Sequence, residues 1–257
     1  MIDLHCHVLP GVDDGPAGVQ EAIALARGAH ADGITTIAAT PHVDWSHPEV
    51  DASSIRAAVE RLRTDLADAG VPVQVVPGAE VAAGRAAELD DAELGDLTLG
   101  GAGWLLLECP IKSTLTPGFV GTARRIAHRG HRILLAHPER CPIFLRSPEA
   151  LDELVAEGML SQVTAGALSG RFGRTVRQCA LALVARGSVH VVASDGHDRG
   201  RPAVIASELA ATPIDPALIA WLTCDGPAAL LAGKSPPPRP AVGQRPRRGG
   251  LLRLVGR

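Results

Sequence analysis

The chain has 257 residues and no run of eighteen or more apolar ones, so no segment of it reads as a transmembrane helix. Its N-terminus lacks the charged n-region and small-residue cleavage site of a secretory signal, which sets the expectation of a cytoplasmic protein. No C-x-x-C pair occurs among Cys6, Cys109, Cys141, Cys179 and Cys224, and that spacing suggests neither a disulfide framework nor a cysteine-rich zinc site. Reduced thiols fit it. Neither G-x-G-x-x-G nor a P-loop run is present, so nothing supports nucleotide binding. What the chain does have is 46% apolar residues, ample for a buried core in one large α/β domain.

Charge divides the chain. From Lys234 onward, KSPPPRPAVGQRPRRGGLLRLVGR carries seven basic residues and no acid, leaving 18 basic against 28 acidic residues in the body. A folded domain over 1–233 followed by a disordered basic tail over 234–257 is expected, because the Pro-, Gly- and Arg-rich tail offers little apolar surface to offset the entropy of ordering. A solvated extension is its first reading; contact of its charge and LLRLV run with an anionic membrane surface is the second. The acidic body would repel a nucleic acid, which is not expected as a partner.

Apolar, β-branched runs recur at IDLHCH, ITTIAAT, VQVVPGAE, WLLLE, RILLAHP, LSQVTA and VHVVASD. Between them lie segments with apolar residues at three- and four-residue spacing that mostly end in Gly. Seven strands alternating with helices predict an α/β fold with parallel strands, closed as a barrel.

Metal-competent side chains stand at the ends of nearly all these strands: His5 and His7, with Asp14 on the loop beyond, then His42, Glu80, Glu108, His137, and Asp195 with His197. In an extended strand His5 and His7 share a face while Cys6 points away. In barrels the C-terminal ends of the strands carry the active site, so the nine residues should converge. A single strand-end acid is more often a helix cap and a single buried His more often a core residue, but such separate explanations do not account for all nine. Mixed imidazole and carboxylate ligands suit Zn, Mn or Fe, and bridging carboxylates allow two or three ions. Cys141 and Arg146 resemble a C-x5-R phosphatase loop one residue short and without its glycines, so Cys141 reads as a small apolar residue.

The stretches MIDLHCHVLPGVDDGP, ATPH, GAE, LTLGGAGWLLLECP, LLAHPERC, LSQVTAGALSGRFG and VHVVASDGHDRGRP, in this order, closely resemble the CpsB/CapC/YwqE group of bacterial tyrosine-protein phosphatases, within the polymerase-and-histidinol-phosphatase (PHP) superfamily. The resemblance covers about residues 1–233. It implies a distorted, TIM-like (β/α)7 barrel holding up to three ions, commonly manganese or iron, with all nine ligand positions filled by the residues named. Asp14 matches the family's ligand better than its neighbour Asp13, which is left to cap the next helix or to share an ion. Arg140 and Arg201 match the family's phosphate-binding arginines, with Arg199 a competitor on the same loop. The implied activity is hydrolysis of phosphotyrosine by a metal-activated water, on a membrane-associated tyrosine autokinase of capsule or exopolysaccharide synthesis. The run VDWSHPEVD after TPH departs from the family pattern.

Three alternatives stand beside this reading. A histidinol phosphatase or another phosphoesterase could use the same scaffold. An amidohydrolase or TatD-type metal hydrolase also begins His-x-His, but no strand-end Lys is present to bridge two metals. A metal-binding scaffold without turnover would need a reason to keep nine ligands.

Overall fold

The computed structural model describes residues 1–241. The barrel wall is built from β1 (Ile2–Cys6), β2 (Thr36–Ala39), β3 (His42–Val43), β4 (Gln74–Pro77), β5 (Glu80–Ala82), β6 (Trp104–Glu108), β7 (Arg132–Ala136), β8 (Leu160–Thr164) and β9 (Val191–Ala193). All pairings are parallel, in two sheets ordered β1-β2-β4 and β3-β5-β6-β7-β8-β9. A bridge from Cys6 to Gly196, with Asp195 N–H donating to His5 O at 2.8 Å and His7 N–H to Gly196 O at 2.8 Å, joins β1 to the end of β9.

At two of the seven runs expected from sequence the strand stops and a second short strand follows. Run 34–40 passes from β2 to β3 through Pro41, which has no N–H for the ladder, and run 73–80 passes from β4 to β5 through Gly78. At Gly78 a Cβ would come within 2.9 Å of Leu99 Cδ2, so a larger residue there would make Leu99 shift. The breaks lie side by side, bridged by Glu80 N–H donating to Pro41 O at 3.1 Å, and they are the distortion in an otherwise seven-unit barrel.

Alternation along the strands fills the inside and the outside. Leu4, Ala38, Leu106, Leu134, Ala136, Val191 and Ala193 form an inner cluster closed below by Leu99, Trp104 and Leu230. Their neighbours Ile37, Leu105, Leu107, Leu135 and Val192 join Cys6 in a larger cluster against the helices. Those helices cover the expected segments, as at Val19–Ala31, Ala52–Asp68, Phe119–His128, Glu149–Ala156 and Arg174–Arg186. Asp51 opens the second with a capping box to Ser54, and Gly187, at φ +86°, ends the last in a conformation that suits glycine.

Residues 234–241, which charge alone assigned to the tail, run along the barrel. Trp104 Nε1 donates to Lys234 O at 3.2 Å and Trp221 Nε1 to Pro237 O at 3.0 Å. Arg239 donates to Val184 O at 2.6 Å and to Val189 O at 3.3 Å, its guanidinium 5.9 Å from the Trp221 ring centroid. The rest of the proposed tail, 242–257, lies outside the described residues. Among the described residues no helix is long and apolar enough to cross a membrane.

Candidate metal centre

The strand ends bring all nine sequence-selected residues to one place. Around Glu80 Oε2 stand His5 Nε2 at 3.3 Å, His7 Nε2 at 3.4 Å and His42 Nδ1 at 3.2 Å, while Glu80 Oε1 meets His137 Nε2 at 2.7 Å. Ligand atoms gather in three overlapping groups: His7, Asp14, His42 and His197; His5, His7 and Glu80; Glu80, Glu108 and His137. His7 and Glu80 each belong to two of them. Asp195 completes the ring, with Oδ1 at 3.5 Å from His5 Nε2, 3.7 Å from His7 Nε2 and 3.7 Å from His197 Nδ1.

Outer hydrogen bonds fix which ring nitrogen faces inward. His5 Nδ1 lies 3.0 Å from Gln162 Oε1, His7 Nδ1 2.6 Å from Asp13 Oδ2, and His197 Nδ1 2.9 Å from the carbonyl of Asp195. Each of these oxygens can only accept, so each Nδ1 carries the proton and each Nε2 turns inward with its lone pair. The consequence is electrostatically unfavourable without positive charge: two lone pairs face each other at 3.2 Å between His5 and His7, and His197 Nε2 faces Asp14 Oδ1 at 3.2 Å. Nδ1 of His42 and Nε2 of His197 are buried without a hydrogen-bond partner. Donors converging on one another, with carboxylates between, are what cations require, and the residues therefore fit the metals the sequence implies.

The electrostatics of the cluster make the same demand. Burial works against a charged His7, yet its hydrogen bonds to the Asp13 and Glu80 carboxylates raise it to about 10, so without cations a proton on Nε2 stands where a cation would. Burial would also raise Glu80, but the imidazoles of His5 and His137 hold it well below the usual carboxylate range. Glu108, pushed up to about 8 by burial and then by the charges of Glu80 and Asp44, is the one carboxyl of the cluster kept in its acid form at neutral pH.

Asp13 neither caps a helix nor joins any of the three groups. The following helix starts from Gly18, whereas Asp13 Oδ2 accepts from His7 Nδ1 and from the backbone N–H of His42 at 3.0 Å, and Oδ1 accepts from Gly15 N–H at 3.0 Å. Gly15 is obligatory for this turn, since a Cβ there would lie 2.2 Å from the carbonyl oxygen of His7. Backbone strain marks the site as well: His137 at φ +38° and Asp195 at φ +53° are the only non-glycine residues with positive φ among those described.

Arg140 donates to Asp195 Oδ2 at 2.7 Å and lies 4.7 Å from the Phe172 ring centroid. Arg201 places Nη2 at 2.9 Å from the same oxygen and Nη1 at 3.9 Å from Asp14 Oδ2, with its Nε buried and unpartnered. Arg199 does not reach Asp195; it lines a separate cleft of about 620 Å³ with Gln20, Glu21 and Asp198. Cys6 and Cys141 are fully buried, and burial pushes both thiols up, which makes neither a nucleophile. Sequence reasoning missed Gln162, a buried amide that also accepts from His137 N–H at 3.4 Å; its signal was a lone amide within an apolar strand. In the loop after β3 the His47 ring stacks over His42 with centroids 6.2 Å apart.

Comparison with known proteins agrees with this geometry. The family model for capsular polysaccharide synthesis, CpsB/CapC, matches residues 1–211. The tyrosine-protein phosphatase YwqE of Bacillus subtilis is 35% identical over 202 residues, spanning 77% of this chain and 78% of that protein. A crystal structure from the pair YwqE of B. subtilis and CpsB of Streptococcus pneumoniae, described as metal-dependent tyrosine phosphatases, superposes with a TM-score of 0.78 at 28% identity, covering 95% of this chain and all of that one. A D-hydantoinase shares only the barrel, at a TM-score of 0.53 and 12% identity, with 93% of this chain and 72% of the other covered. The ordered strand-end motifs, the barrel that gathers them and these matches place the chain in the CpsB/CapC family.

Proposed function

We propose that the chain is a metal-dependent protein-tyrosine phosphatase, with residues 1–233 carrying the activity and His5, His7, Asp14, His42, Glu80, Glu108, His137, Asp195 and His197 holding two or three ions, manganese or iron before zinc. The carrying observation is the three interlocked groups of ligand atoms that share His7 and Glu80. When bound, such ions supply Lewis-acid neutralisation of a phosphoryl group and a water of lowered pKa. The protein's own groups do the rest. Gln162, Asp13 and the Asp195 carbonyl orient three imidazoles, so ligand geometry is set before substrate arrives. Arg140 and Arg201, anchored on Asp195, present planar forks suited to phosphoryl oxygens. No side-chain nucleophile is needed. A phenolate with a parent pKa of about 10 departs more readily than an alkoxide and depends less on a general acid.

The substrate in this reading is a phosphotyrosine protein, specifically a membrane-associated tyrosine autokinase of capsule or exopolysaccharide synthesis, met on the cytoplasmic side. Support comes from the family's tie to capsular polysaccharide synthesis and from the similarity to YwqE, a tyrosine-protein phosphatase. Replacing His5 and His7 together by alanine, or His42 alone, is expected to abolish hydrolysis of p-nitrophenyl phosphate while circular dichroism stays native; full activity in these variants overturns the assignment.

A further inference from the structure

The chain is poor in aromatics, with three Trp, three Phe and no Tyr, and two of its three tryptophans are buried. The third, Trp45, is 59% exposed. Among the described residues only three other large hydrophobics are exposed, Leu115 at 61%, Ile111 at 41% and Val19 at 38%. Scattered apolar surface residues are ordinary, but these four are not scattered. Trp45 follows β3, Ile111 and Leu115 follow β6, and Val19 opens the helix after β1, so all stand on chain leaving the C-terminal ends of strands, where the metal centre lies.

Trp45 is held rather than loose. Its ring lies so close over Gly84 that a Cβ there would come 2.3 Å from Cη2, and its Nε1 donates to Glu88 Oε2 at 3.2 Å. A short arm ties it to the site. Asp44 Oδ1 accepts from the backbone N–H of Ser46 at 2.8 Å and of His47 at 3.0 Å, and the His47 ring stacks over His42. Past the intervening β5, Glu108 at the end of β6 leads directly into the connection bearing Ile111 and Leu115. The mouth is thus asymmetric, with Arg140 and Arg201 around Asp195 on one side and, beyond His42 and Glu108, the pinned Trp45 and the exposed Ile111 and Leu115 on the other.

We infer that Trp45, with Ile111 and Leu115, receives apolar side chains flanking the phosphotyrosine of a polypeptide substrate, which makes these residues determinants of specificity. This rests on the phosphatase reading above. A phosphoryl group anchored between the imidazole cluster and the two arginines leaves a tyrosyl ring pointing outward, so the residues beside it must meet the rim. A side chain of matching apolarity gains there by excluding water from surface that is already ordered.

The test compares kcat/KM of the full chain on two phosphotyrosyl peptides, one with Leu and Phe flanking the phosphotyrosine and one with Ser and Gly, and on p-nitrophenyl phosphate. The wild type should favour the apolar peptide by about tenfold, carried in KM, the discrimination that an apolar contact supplies. Trp45→Ala, and independently the Ile111→Ser/Leu115→Ser pair, should remove most of that preference while changing the small ester by less than about threefold, a smaller loss than the contact itself. A wild type without preference, or variants that keep it, overturns the inference; so does a change in sedimentation from dimer to monomer with the preference intact, which makes the patch a contact between copies. If the wild type hydrolyses none of the three, the phosphatase reading fails instead. Binding of the same two peptides carrying phosphonomethyl-phenylalanine, followed by calorimetry, then decides the rim's role: a wild-type preference lost in the variants supports it, and equal affinities refute it.

Discussion

Asp13→Asn removes a charge that touches no substrate, and the structure says what it should cost. Three N–H groups converge on this carboxylate: His7 Nδ1 at 2.6 Å and His42 N at 3.0 Å on Oδ2, and Gly15 N at 3.0 Å on Oδ1. An amide has only one oxygen. If that oxygen takes the Oδ2 position, the new NH2 faces Gly15 N–H; if it takes Oδ1, His7 and His42 face the NH2 instead. Either way at least one buried donor is unpartnered, at about 1–3 kcal/mol. The damage to the metal centre is separate. The Asp13 hydrogen bond fixes the proton of His7 on Nδ1 and keeps Nε2 turned inward, so cation affinity should fall roughly 10–100-fold, as when an outer partner of a ligating histidine is lost. Calorimetric titration of the chelator-stripped protein with Mn²⁺ measures the second effect and urea denaturation of the same protein the first. Wild-type affinity together with wild-type stability in Asp13→Asn would refute the reasoning on both counts.

Two other outcomes follow from groups at opposite ends of the barrel. His190, partly buried beside Trp221 and Arg239, accepts from Ser161 N–H at 3.2 Å, and burial, then the Arg239 charge, lower it from 6.5 to about 4. The unfolded chain binds this proton first, so the group's contribution is intact above about pH 6.5 and is lost as pH falls toward 4, by up to about 3 kcal/mol. His190→Asn should flatten that part of the acid loss in urea unfolding at pH 7, 5.5 and 4.5; an unchanged pH slope counts against it. Removing bound cations with a chelator should abolish phosphatase activity and lower Tm together, because the lone pairs and carboxylates around Glu80 then face one another uncompensated, and Mn²⁺ should restore both. A Tm indifferent to chelation would argue that the cluster is held together without ions.

The barrel could be read from the alternation of β-branched runs with Gly-terminated helices because both signals are local. The convergence of the candidate ligands followed from one topological rule, that strand C-termini share a face, and needed no knowledge of contacts. Asp13 and Gln162 escaped for the opposite reason. Their roles depend on which ring nitrogen lies within 3 Å across the barrel, and nothing in VDDG or LSQVT states that. The strand breaks at Pro41 and Gly78 were visible as residues but not as breaks, since the side chain that packs on Gly78, Leu99, is 21 residues away. Composition likewise marked 234–241 as unfolded polar chain, while the fold offers Arg239 two carbonyls and an indole face that no count of prolines can show.

The left-handed backbone at His137 and Asp195 bears on any attempt to make this protein more robust. Each position holds an L-residue where glycine would relax the chain, at an expense of about 1–3 kcal/mol apiece. A screen for thermostability would therefore find its easiest gains at these two codons, and each gain would delete a side chain of the proposed metal centre. Selection for endurance and selection for turnover pull against each other at these points, so variants that melt later without losing activity should carry their changes elsewhere in the barrel.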